Sequence, residues 1–161
     1  MAEGRLLDAC HTPMTSRITL ILMTVCLFLG GCGLPRIMVL SDPLSPQEHL
    51  NLGVTYEKNN ELDAALKEYR SAAKHLPIGY LYMGNVYFAK GELDNAEKSY
   101  RKAIAADAGN ADARNNLAWL YYTRKMNLEE AELLVREAIR LDPAKAGIYR
   151  DTLDKILSEK R

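Results

Sequence analysis

Apolar and small residues fall in a pattern that occurs three times between Pro46 and Pro143. Leu52, Gly53, Tyr56, Leu62, Ala65, Tyr69, Ala72 and Pro77 are matched by Met83, Gly84, Tyr87, Leu93, Ala96, Tyr100, Ala103 and Ala108. Leu117, Ala118, Tyr121, Leu128, Ala131, Val135, Ala138 and Pro143 form the third set. The positions 53, 84 and 118 stand 31 and 34 residues apart, and the later alanines at 65, 96 and 131 stand 31 and 35 apart. A period of this length marks stacked supersecondary units, each too small to bury its apolar face alone. Inside each copy two segments carry apolar residues at helical intervals, as in Tyr80, Met83 and Tyr87 or Leu62, Ala65, Leu66 and Tyr69. Two such amphipathic helices joined by a short turn bury their stripes against each other. Gly53, Gly84 and Ala118, with Ala65, Ala96 and Ala131, predict close approach of the paired helices. Tyr56, Tyr69, Tyr87, Tyr100 and Tyr121 fill the remaining space, and their repeated spacing marks them as core.

The turn chemistry agrees with this division. Asn59-Asn60 and Lys90-Gly91 suit the left-handed conformation that ends a helix. Pro77 and Pro143 stand where a second helix must stop. The short spacing between Pro77 and Gly84 predicts a tight junction after copy one. One extra residue around Lys125-Met126-Asn127 predicts an irregular turn in copy three. Ser45-Pro46-Gln47-Glu48 is a helix start, with Ser45 as N-cap, Pro46 in the first helical position and Glu48 in the third. Residues 144–161 read as a last helix, with Ile148, Leu153, Ile156 and Leu157 as its apolar stripe. A terminal element with a polar outer face is what a repeat array needs to shield its last apolar surface.

The spaced Leu-Gly, Tyr, Ala, aromatic and Pro positions resemble the tetratricopeptide repeat (TPR), whose period is about 34 residues. The resemblance spans residues 46–143 and implies an all-α solenoid: repeats at about 46–76, 77–110 and 111–143, then a capping helix over 144–161. It also implies a groove lined by the first helix of each repeat. The corresponding positions are Leu50, Val54 and Glu57, then Leu81, Asn85 and Phe88, then Asn115, Asn116, Trp119 and Tyr122. Phe88, Trp119 and Tyr122 are aromatics that the core pattern does not require, and interfaces favour aromatic anchors. They either face a partner or pack under the cap or a neighbouring repeat. Some TPR proteins hold a C-terminal carboxylate with Lys, Arg and Asn. Asn85 and Asn116 match its asparagines, but Leu81 stands at a lysine position, so an apolar and amide groove is expected instead.

The N-terminal part has a different character. Residues 18–29 form an uncharged apolar run after Arg17, the length of a signal-peptide core and short for a membrane span. Leu29-Gly30-Gly31-Cys32 resembles the lipobox of bacterial lipoproteins. That implies a signal peptide over 1–31 and lipidation of Cys32, the first residue of the mature chain. The other possibilities are a plain signal peptide or an N-terminal membrane helix with an incidental Cys32. The compact basic stretch Met14-Thr15-Ser16-Arg17 suggests translation from Met14. Gly33 resembles an outer-membrane sorting signal, which would place the protein on the outer membrane facing the periplasm. Residues 32–45 read as a lipidated tether. Within it Ile37-Met38-Val39-Leu40 either packs on the repeats or pairs with a partner as a strand.

Charge and chemistry then narrow the function. The chain of 161 residues carries 21 basic and 21 acidic side chains. The balance argues against a nucleic-acid binder. Of Cys10, Cys26 and Cys32 only the last would survive processing, which leaves no disulfide framework or cysteine metal site. His49 and His75 lack metal-ligand spacing, and no phosphate loop or nucleophile elbow occurs. No enzyme activity, cofactor or metal is expected. The expectation is a membrane-anchored protein-interaction module or assembly scaffold. Its resemblance to TPR lipoproteins points to envelope or pilus systems. Ile37 to Gly53 and the repeats that follow are similar to the TPR segment of some C39-like cysteine peptidase proteins, which suggests an export or peptidase accessory. The alternative is a self-associating structural lipoprotein without a peptide ligand.

Overall fold

The computed structural model describes residues 42–161. The expected signal peptide, the expected start at Met14, the expected lipidation of Cys32 and the Ile37–Leu40 run lie outside the described residues. The described residues form seven α-helices and no strand. They are α1 (Pro46–Lys58), α2 (Leu62–Ala72), α3 (Ile78–Ala89), α4 (Leu93–Ala106), α5 (Ala111–Thr123), α6 (Leu128–Leu141) and α7 (Ala146–Glu159). A 3₁₀ turn over Pro143–Lys145 precedes α7. Consecutive helices pack as the pairs α1/α2, α3/α4 and α5/α6, and α7 packs on α6 and α5.

Local chemistry sets the helix ends. The Ser45 hydroxyl accepts from the Glu48 amide and Glu48 accepts from the Ser45 amide, a complete capping box with Pro46 behind it. Hydrogen bonds from Ser45 hold the exposed Glu48 carboxyl below its ordinary range. Asn110 caps α5 through the Ala113 amide at 2.9 Å. The first helix of every pair ends in the same way. Glu61, Glu92 and Met126 donate their amides to the carbonyls of Tyr56, Tyr87 and Tyr121, and Asn60, Gly91 and Lys125 donate to Glu57, Phe88 and Tyr122. This double closure needs a left-handed residue, supplied by Asn60 (φ 62°), Gly91 (φ 75°) and Lys125 (φ 50°). In the third pair Asn127 adds a second left-handed residue (φ 49°), so the extra residue is absorbed between the closure and α6.

The seam inside each pair is built from a small residue and a second-helix side chain. A Cβ on Gly53 would lie 2.5 Å from Cε1 of Tyr69, and one on Gly84 would meet the Tyr100 ring closer still. Neither ring has room to move, because Tyr69 and Tyr100 are buried. In the third pair Ala118 and Val135 take these places, both fully buried. The short α2–α3 junction depends on another glycine. A Cβ on Gly79 would stand 2.8 Å from the Ala73 nitrogen and the Tyr69 carbonyl oxygen, so the helix backbones touch there.

Buried residues form two clusters, one around α1, α2 and α3 and a larger one from α3 to α7, with Ile78, Tyr80 and Tyr87 packed against both. The α7 stripe differs from the sequence expectation. Ile148 is 65 % exposed, whereas Tyr149, Thr152, Leu153 and Ile156 are buried. Tyr149 wins the inward place because its hydroxyl can donate to Asp112 at 2.8 Å while its ring fills the end of the core.

Candidate functional site

Leu50, Val54 and Glu57 stand at i, i+4 and i+7 on α1. Leu81, Asn85 and Phe88 stand so on α3, and Asn115, Trp119 and Tyr122 on α5. This spacing puts each triplet on one helix face. The α3 and α5 stripes adjoin, because Asn116 on α5 donates its amide to Asn85 on α3 at 2.9 Å.

The stripes differ in how much side chain they present. Leu50 and Leu81 are 8 % and 6 % exposed and belong to the core clusters, so they underlie the surface and offer little of it to a partner. Asn115 is also buried. Val54, Asn85, Phe88, Asn116, Trp119 and Tyr122 are partly exposed and form the accessible surface.

Tyrosine hydroxyls fix its polar members from behind. Tyr69 donates to Glu57 at 2.6 Å, and Tyr100 donates to Asn85 Oδ1 at 3.0 Å. Burial and the Glu57 carboxylate raise the Tyr69 phenol well above its ordinary range, and burial alone does so for Tyr100. Asn85 Oδ1 thus accepts twice, from Tyr100 and from Asn116. Asn115 donates to Asn116 Oδ1 at 3.4 Å, and its own buried Oδ1 has no partner among the described residues.

The aromatic end is a small stack. The Trp119 and Tyr122 rings lie 5.2 Å apart, tilted by 39°. Lys155 of α7 places its ammonium 5.1 Å from the Trp119 ring centre and pairs with Asp151. One part of Trp119 is therefore covered by the last helix. Sequence reading found the aromatics but not this cation, because residues 119 and 155 belong to different repeats. The Tyr100–Asn85–Asn116 chain also went unread, although a buried tyrosine hydroxyl signals a missing acceptor.

Other polar groups serve the fold. Lys90 pairs with Asp63 at 2.5 Å, Arg124 with Asp94 at 2.7 Å and Lys160 with Glu132 at 2.9 Å, a recurring tie from the end of a first helix to the preceding second helix. Among the described residues no set of three His, Cys, Asp or Glu side chains is arranged to hold a metal ion. No helix among them is long and apolar enough to cross a membrane.

Two family profiles match within the chain. The "Tetratricopeptide repeat" profile covers residues 49–74, and the "TPR repeat" profile covers residues 84–124. No curated protein matches the whole sequence significantly. Solved structures share the architecture. The first TPR of Spaghetti (RPAP3), bound to the HSP90 peptide SRMEEVD, superposes with a TM-score of 0.62 at 21% identity, over 71% of this chain and 94% of that one. The Arabidopsis OM64 TPR domain gives 0.59 at 20% identity, over 68% and 94%. TTC0263, a thermophilic TPR protein of Thermus thermophilus, gives 0.55 at 20% identity, over 71% of both chains. Residues 49–74 and 84–124 thus match tetratricopeptide repeats, and the described residues share the fold of the TPR helical solenoid.

Proposed function

We propose that this protein is an interaction module that binds an extended, largely apolar segment of a partner protein along the face of α1, α3 and α5. The observation that carries this reading is the aromatic set Phe88, Trp119 and Tyr122, left partly exposed beside the fixed amides of Asn85 and Asn116. Flat aromatic side chains anchor a partner at low entropic cost, and amides can bond its backbone. Asn85 Nδ2 makes no bond to any described residue and is a free donor toward such a backbone. The RPAP3 repeat with its bound peptide supports a peptide ligand on this architecture. The partner here differs in charge from that acidic peptide. None of the face residues is a cation, and Leu81 stands where carboxylate-binding relatives carry lysine.

The sequence Leu29-Gly30-Gly31-Cys32 supports a lipid anchor on Cys32 and a place on a bacterial envelope membrane, outer and periplasm-facing by Gly33. In that setting the module serves as a scaffold or accessory for envelope, pilus or export and peptidase systems. Crosslinking and recovery from membranes, comparing wild type with Trp119→Ala/Tyr122→Ala at equal helicity, tests the binding face. Loss of about tenfold or more in recovered partner is expected, the size of an anchor loss. An unchanged partner set would move the site elsewhere. Incorporation of a labelled fatty acid, abolished by Cys32→Ala, tests the anchor.

A further inference from the structure

The first helix pair holds a buried polar cluster that the binding face does not use. His49, in the first turns of α1, is 7 % exposed, and Glu68 of α2 is 8 % exposed. His49 Nδ1 lies 2.6 Å from Glu68 Oε2, and its Nε2 lies 3.1 Å from Asp42 Oδ2. The other Asp42 oxygen accepts from the Leu44 amide at 3.2 Å. The imidazole thus stands between a buried carboxylate and one whose side chain is 57% exposed. The two carboxylates lie on opposite ring nitrogens and cannot converge on one metal ion.

Proton counting makes this arrangement conditional. An ionised carboxylate only accepts, and a neutral imidazole has a single N–H. Both contacts coexist only when the three groups share two protons, whether the second is written on the ring or on Glu68. Removing one proton sets a nitrogen lone pair against a carboxylate at one of the two contacts. Burial decides which contact fails. An unpaired group costs most where water cannot reach it, so the Glu68 bond persists and Asp42 turns to solvent.

We propose that His49 is a proton-operated clasp: it ties Asp42 to α1 and α2 while the shared proton is bound, and frees Asp42 when the proton leaves. The surrounding charges are mixed. Glu48 beside His49 on α1, Asp42 on the turn and Glu68 on α2 favour the extra proton. Lys74 and His75 at the end of α2 line the same cavity of about 430 Å³ and oppose it, as does the positive end of α1. The clasp acts on the turn that leads into α1.

The test uses the full-length chain labelled with ¹⁵N-histidine, with His49 assigned by the signal that His49→Gln removes. The two ring nitrogens are followed against pH in wild type and in Asp42→Asn, an exposed position whose substitution leaves the core intact. Loss of a facing carboxylate is expected to lower the proton affinity of His49 by at least about threefold. The Leu44 amide, which donates to Asp42, should lose protection, relative to its intrinsic exchange rate, as pH rises through the wild-type midpoint. Equal midpoints in the two proteins, or protection that does not follow the midpoint, would overturn the clasp.

Discussion

The first two repeats and the third solve one packing problem with different parts. In α1/α2 and α3/α4 a bare glycine, Gly53 or Gly84, lies under a tyrosine ring. In α5/α6 the seam is Ala118 against Val135. Adding a methyl on one side goes with removing a ring on the other, as dense interiors require. The exchange has a chemical consequence. Tyr69 and Tyr100 send hydroxyls through the seam to Glu57 and Asn85 on the proposed binding face, whereas Val135 sends none. The third repeat presents Trp119, whose indole has no oxygen to accept a bond from the seam, at the position where the second presents Asn85. Seam and surface are therefore linked in the first two repeats: each tyrosine holds one polar face residue, and the valine seam holds none.

The largest test of this comparison is Gly84→Ala, which drives a methyl into the buried Tyr100 ring. A loss of about 2–3 kcal/mol is expected in urea unfolding. Adding Tyr100→Val recreates the third repeat's pair, and the two changes should couple favourably by at least about 1 kcal/mol. Additive losses would show that the seams are not interchangeable.

Alkaline titration probes the same contrast more gently. Burial raises the phenols of Tyr69 and Tyr100 above their ordinary value, and burial with Glu97 pushes Tyr121 up to about 12. A raised folded value means that the folded state keeps its protons longer. Stability should hold below about pH 10, where unfolded tyrosine titrates, and fall as pH climbs toward the folded values. The part of the phenolate absorbance that Tyr100→Val removes should rise together with loss of helicity, and the substitution should flatten the fall. Ionisation ahead of unfolding would contradict the buried hydroxyl bonds.

The smallest effect belongs to the surface ties. Arg124 bridges Asp94 in partly exposed surroundings, and Arg124→Gln should cost less than about 1 kcal/mol, and less still in high salt. A larger loss would mean that the repeated ion pairs help to set the stacking of the pairs.

Much of this was legible before any coordinates. The 31- and 34-residue steps gave the helix pairs, and Asn60 and Gly91 marked two of the closures. The extra residue near Met126 foretold an irregular turn, though not that Lys125 and Asn127 would both turn left-handed. Ile148 was misplaced because periodicity counts apolar side chains and ignores the hydroxyl that lets Tyr149 bond Asp112 from inside. His49 was passed over because its partners lie 7 residues before it and 19 after it, too far apart for any local spacing to show.

The sequence by itself determined the helices, their pairing and the stripes along the first helices of the pairs, because these follow from short-range periodicity and turn chemistry. Only the tertiary structure decided which face residues stay accessible, which amides are tied to buried tyrosines, and that Lys155 covers Trp119 while Glu68 and Asp42 bracket His49. Those outcomes depend on distances between side chains from different helices, fixed when the pairs pack and not before.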